Sequence, residues 1–190
     1  VKIKNIKKII KFKIDLIGKI QIKNILMSML AAEKSGLDLV SVAKLMNKLR
    51  PVEGRLENIG KLKDNSRVIL DYAHTPDALK TVLSNVREQF PLAKIRLIFG
   101  CGGERDKTKR SKMGEIASKL ADVIYLTDDN PRGENPKIIR EQIKKGIKKN
   151  INLIEIPNRK IAINKRKLIE IASREIAINR AIQNIKSNEI

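Results

Sequence analysis

Between residues 67 and 136 a short apolar run ends three times in a polar loop that opens a helix, and this alternation narrows the folds open to the chain. Arg67–Leu70 (RVIL) leads into DYAHTPDAL at Asp71–Leu79. Lys94–Phe99 (KIRLIF) leads into FGCGGERDKTKR at Phe99–Arg110, and Val123–Leu126 (VIYL) into TDDNPRGENP at Thr127–Pro136. Thr75-Pro76-Asp77 is a helix start: a hydroxyl at the N-cap, a proline in the first turn, an acid at the positive end of the dipole. That helix is expected to reach about Gln89, with others over about Lys112–Leu120 and Lys137–Lys148, and a fourth strand at Asn152–Ile156. Strands alternating with helices imply a mainly parallel sheet covered on both faces. The expected fold is therefore a doubly wound α/β domain from about residue 57 on.

The chain ahead of it reads differently. Ile22–Leu49 carries apolar residues at three- and four-residue spacing, with a stop and restart at Gly36, which predicts helices. Pro51, Gly54 and Gly60 mark a boundary. The expected organisation is a helical part over residues 1–50, a linker over 51–56 and the α/β domain over 57–190. The first twenty residues, rich in Ile and Lys, read as a half-buried strand rather than a membrane-surface segment, since Lys interrupts every apolar run. IEIPNRKIAINK at Ile154–Lys165 recurs as IEIASREIAINR at Ile169–Arg180, fifteen residues on. That spacing is close to four helical turns, so the duplication is expected to fit within a helix.

Composition sets limits. The chain has 190 residues, 41 Lys plus Arg against 21 Asp plus Glu, and a net charge of +20. With 42% apolar residues it can bury a core, which excludes a wholly disordered tail. Aromatics make up only 3%, against single-strand nucleic-acid binding by stacking. One Cys and one His give neither a disulfide nor a zinc ligand set, and a reducing compartment suits them. Charge alone leaves open a basic, non-catalytic module for nucleic acid or anionic surfaces.

In an open parallel sheet ligands bind beyond the carboxyl ends of the strands, and all three polar loops fall on that edge. Asp129 and Arg132 stand side by side across a proline. A carboxylate takes an ammonium and a guanidinium takes a carboxylate, so the pair suits the two charges of an amino acid; Arg105 from the neighbouring loop suits the same carboxylate. The alternative for Asp129 and Arg132 is an ion pair capping their own loop. His74 lies on the same edge just before a helix start, a place suited to an anion. The chain has no GxxxxGK[ST] loop and no paired acids arranged for Mg²⁺, so no catalytic residue and no metal ligand is assigned.

LIGKIQIKNILMSML, PVEGRLE, DYAHTPDAL, FGCGGERDKTKR, MGEIASKLADVIYLTDDNPRGENP and AINRAIQNIKSNEI together resemble the Mur ligases, and within them the diaminopimelate-adding branch, from about Leu16 to Ile190. The resemblance implies a Rossmann-like C-terminal domain preceded by a helical remnant of a central ATPase domain. It implies a cytoplasmic step of peptidoglycan synthesis. ATP activates a carboxylate of a UDP-linked muramoyl dipeptide, with Mg²⁺ bound elsewhere in the enzyme, and the amine of meso-diaminopimelate then forms an amide. Carried over by position, Asn24, Arg55, Asp71 and His74 are the ATP contacts. Arg105, Asp129, Asn130 and Arg132 are the diaminopimelate contacts. The P-loop, the Mg²⁺ acids and a last strand with its GKGHE motif have no counterpart here, and the repeat replaces a single copy. The chain is thus expected to be inactive alone, to bind no cofactor tightly, and to act, if at all, with a separately encoded N-terminal half. Neither nucleic acid nor membrane is an expected partner.

Overall fold

The computed structural model describes residues 2–4, 9–62, 66–147, 155–156, 159–160 and 167–190. The chain forms two compact units, Val1–Ile59 with Ile69–Tyr72, and Gly60–Val68 with Ala73–Ile190.

In the first unit, β1 (Lys2–Lys4) and β2 (Ile9–Lys11) pair antiparallel, and the helices α1 (Lys19–Lys34) and α2 (Leu39–Leu45) follow. Gly36 at φ 89 breaks the helical path, and Asp38 caps α2 by accepting the Ser41 N–H. The core is Ile25, Met29, Ala43 and Met46, with Phe12, Leu16 and Leu49 packed on it. The apolar stripe is narrower than its spacing suggested, because Leu30 and Leu45 are 51% and 53% exposed.

The second unit is α/β, as expected. Its elements are α3 (Pro76–Gln89), β5 (Arg96–Phe99), α4 (Thr108–Leu120), β6 (Val123–Leu126) and α5 (Pro136–Lys144), then β9 (Lys167–Glu170) and α6 (Arg174–Gln183). Ahead of them in the chain, β3 (Glu57–Lys61) and β4 (Arg67–Leu70), each divided between the two units, form a two-stranded sheet. Strands β5, β6 and β9 lie in that order, parallel throughout, with Ile98 beside Tyr125 and Tyr125 beside Ile169. Helix α4 packs between α3 and α5, and α6 lies against β5 and β6. Thr75 and Asn135 cap α3 and α5 with proline in the first turn of each. The core gathers Leu79, Leu83 and Val86 from α3, Met113 and Ala117 from α4, and Ile124–Leu126 from β6. The carboxylate of Asp122 accepts from Ile95 N and Arg87, so the buried acid is paired where the chain enters β6.

Several expectations fail, the first being that RVIL joins the parallel sheet, since β4 pairs with β3 in a separate one. Helix α4 begins at Thr108 rather than near Lys112, because the Asp106 carboxylate takes both the N–H and the hydroxyl of Thr108 and so starts the helix early. The third place in the sheet goes to β9, not to the strand expected at Asn152–Ile156. Of that strand, β7 (Glu155–Ile156) pairs antiparallel with β8 (Arg159–Lys160), while residues 152–154 lie outside the described ones. The second copy of the repeat is therefore strand, turn and capped helix, not part of one helix. Both copies read LIEI, so strand propensity does not separate them. Packing does: Ala177 and Ala181 of α6 are buried at 0% and 4%, and the first copy would bring Arg166 to the place of Ala181.

The chain's last residues run along β5. Lys94 and Glu189 form a parallel bridge, Arg96 N donates to Ile190 O, and the Glu189 carboxylate takes Arg96 Nε at 2.5 Å. Residues 188–190 thus meet the start of β5. Among the described residues no helix is long and apolar enough to cross a membrane.

Candidate functional site

The loops after β5 and β6 form one structure. Gly103 N donates to Asn130 O at 2.8 Å, and Arg132 Nη1 donates to Gly103 O at 2.7 Å. Glu104 N donates to the Glu134 carboxylate at 2.6 Å, and Gly133 N to the Glu104 carboxylate at 3.2 Å. The approach needs glycine. A Cβ on Gly103 would stand 1.8 Å from Pro131 O, and one on Gly100 would stand 2.3 Å from Thr127 O. Glu104 and Arg132 take left-handed backbone at φ 52 and 48, a strained conformation for residues with side chains.

Beneath the loops Arg110 is fully buried. Its two terminal nitrogens take the two oxygens of Glu134 at 2.8 and 2.9 Å, and it also donates to Gln142 Oε1 at 2.6 Å and Gly102 O at 3.1 Å. Paired with Arg110 and accepting the Glu104 N–H, the Glu134 carboxyl is held down at about 2. Cys101, beside Met113 and buried, has its thiol pushed up to about 11, so it is a packing residue and no nucleophile at neutral pH.

All four residues expected at an amino-acid site sit on these loops and are exposed: Arg105, Asp129, Asn130 and Arg132. Asn130 Oδ1 accepts Arg132 N, tightening the turn. The capping pair considered for Asp129 and Arg132 is not made. Asp129 is held by Arg174 from the start of α6, which also donates to Asp128 O, while Arg132 turns to Gly103. Arg105 contacts only the neighbouring Glu104 O among the hydrogen bonds described, at 3.4 Å. Sequence reading missed Arg174, Arg110 and Glu134. Arg174 opens the helix of the repeat's second copy, 45 residues from its partner, with no local signal. Arg110 and Glu134 lay within motifs already singled out, and their charge signs could have paired them.

Three of the four residues expected at ATP lie together in the first unit. Asn24 Nδ2 reaches Gln21 Oε1 at 3.4 Å, and Gln21 Nε2 donates to Arg55 O at 3.1 Å. The Arg55 guanidinium stands 4.9 Å over the Tyr72 ring, and Asp71 accepts the N–H of Leu56 at 2.8 Å. His74 belongs to the second unit, where its carbonyl accepts Lys109 Nζ at 2.9 Å. Among the described residues no group of three His, Cys, Asp or Glu side chains stands together as a metal cage.

Residues 54–190 match the family described as Mur ligase, glutamate ligase domain. The UDP-N-acetylmuramoyl-L-alanyl-D-glutamate–2,6-diaminopimelate ligase of Rickettsia felis is 43% identical over 153 residues, covering 80% of this chain and 28% of the relative. A ligase of that name, numbered 1, from Clostridium acetobutylicum is 46% identical over 154 residues, 80% of this chain and 32% of the relative. A solved diaminopimelate ligase of the same name superposes with a TM-score of 0.65 at 30% identity, covering 100% of this chain and 35% of that one. The chain spans about a third of the length of the curated relatives it matches.

Proposed function

Since the chain belongs to the Mur ligase family, through the glutamate ligase domain, we propose that it is the amino-acid-binding part of a ligase that adds meso-diaminopimelate to UDP-N-acetylmuramoyl-L-alanyl-D-glutamate in the cytoplasm. The observation that carries this reading is the joined pair of loops. They bring Arg105, Asp129, Asn130 and Arg132 to the carboxyl ends of β5 and β6 on a pre-formed frame. Asp129 is the partner for the ligand's ammonium, and Arg132 and Arg105 for a carboxylate, with Asn130 fixing the turn between them. Holding the amino acid by its charges leaves its second amino group free to be aimed at an activated carboxylate, so this part of the enzyme works by positioning.

ATP, bound in the intact ligase, supplies the phosphoryl group that activates the muramoyl dipeptide. Asn24, Arg55, Asp71 and His74 are this chain's contacts to it. Residues 1–50 are the end of the ATP-binding domain, 51–56 the linker and 57–190 the C-terminal domain. The chain spans about a third of its curated relatives, and on this reading the Mg²⁺ ligands, the dipeptide site and the reacting centre belong to the rest of such an enzyme. Binding is the test. Calorimetric titration with meso-diaminopimelate is expected to show saturable binding that Asp129→Ala or Arg132→Ala abolishes. Binding equal in both variants, or none at millimolar ligand, would contradict the reading.

A further inference from the structure

We infer that the buried Arg110–Glu134 pair is the positioning device of the amino-acid site, setting the geometry of loops whose ligand-facing residues it never joins. The inference deepens the function proposed above and rests on it. Arg110 sits on α4 with no exposed surface, and its two terminal nitrogens are spent outside its own helix while Nε is buried without a hydrogen-bond partner: two bonds to Glu134, one to Gln142 of α5, one to Gly102 O. Glu134 and Gly102 lie in the two loops, and Gln142 lies on the helix that follows the second.

Glu134 completes the link. Its Oε1 accepts both Arg110 Nη2 and Glu104 N, so one carboxylate of the β6 loop fixes the backbone of the β5 loop immediately before Arg105. Glu104 answers by accepting Gly133 N, directly after Arg132. The residues flanked by these bonds, Glu104 and Arg132, are the two non-glycine residues of these loops that hold left-handed backbone. A strained residue keeps that conformation only where its surroundings over-determine it. A fork-to-fork guanidinium–carboxylate pair supplies such determination, being directional in a way a lysine ammonium is not. Nothing about folding the sheet asks for a buried charge here, and a buried pair is weak evidence of stability. Its location under the loops fits pre-organisation, which saves the ordering cost otherwise met on binding.

The test compares the full chain with Glu134→Ala and, as a milder change that keeps the positive charge, Arg110→Lys. Amide hydrogen exchange reads Gly103, Glu104 and Gly133 against Ile124–Leu126 of β6, and titration reads meso-diaminopimelate. The expected result for Glu134→Ala is exchange at least about tenfold faster at the three loop amides, unchanged β6 protection, and affinity at least about tenfold weaker. Arg110→Lys is expected to move the same amides by less. Unchanged protection of the loop amides in both variants overturns the clamp. Faster loop exchange with undiminished affinity overturns its positioning role. If the unsubstituted chain binds no diaminopimelate, the proposed function falls, and the exchange result alone then upholds or overturns the clamp.

Discussion

The two groups of candidate ligand residues are held in different ways. In the first unit, Asn24, Gln21 and Arg55 are joined by bonds of 3.4 and 3.1 Å, and the Arg55 guanidinium lies over a tyrosine that is 65% exposed. In the second unit, Arg105, Asp129, Asn130 and Arg132 stand on loops cross-linked through backbone groups and fastened by a fully buried arginine. Exposed, singly bonded side chains pay their ordering cost when a ligand arrives, whereas a pre-formed loop pair has met that cost in folding. The amino-acid site should thus survive in this chain by itself, and nucleotide affinity should be weak.

The sharpest way to break this contrast is to part the loops. Gly103→Ala would drive a methyl group against Pro131 O, and should destabilise the second unit by about 3 kcal/mol, seen as a fall in the urea midpoint. Next comes the ligand charge pair. Asp129→Ala should abolish diaminopimelate binding detectable by calorimetry, as loss of a charge-assisted bond. Its exposed bond to Arg174 should leave the thermal midpoint almost unmoved. Asn24→Ala, in the loosely held group, should change neither quantity. Thr75→Ala removes the cap of α3 and should cost about 1 kcal/mol without touching amino-acid affinity.

Acid titration sharpens the same difference. Glu134 in the folded chain is held at about 2, below its ordinary 4.5. A depressed carboxyl stabilises the fold fully above the ordinary value and loses that contribution as the pH falls through the folded one. Loop-amide protection should therefore be flat above pH 5 and decline between about 4.5 and 2. In Glu134→Gln that decline should be absent.

Much of the second unit was legible because its signals are local. Thr75-Pro76 and Asn135-Pro136 start helices through bonds within three residues, and RVIL and VIYL fall within the expected strands. The loops were legible as a site because Gly, Asp and Arg crowd at strand ends. How the loops are held was not, since Arg110 meets Glu134 across 24 residues and Arg174 meets Asp129 across 45. The repeat misled for a related reason: both copies carry the same strand signal, and the burial of Ala177 and Ala181 that favours the second is not read from a window over one copy.

The most direct test of the account is the titration of this chain with meso-diaminopimelate, run beside ATP under the same conditions. Saturable binding of the amino acid that Arg132→Ala removes, together with far weaker nucleotide binding, is the predicted result. Nucleotide binding as tight as that of the amino acid, or no amino-acid binding at millimolar concentration, would contradict it.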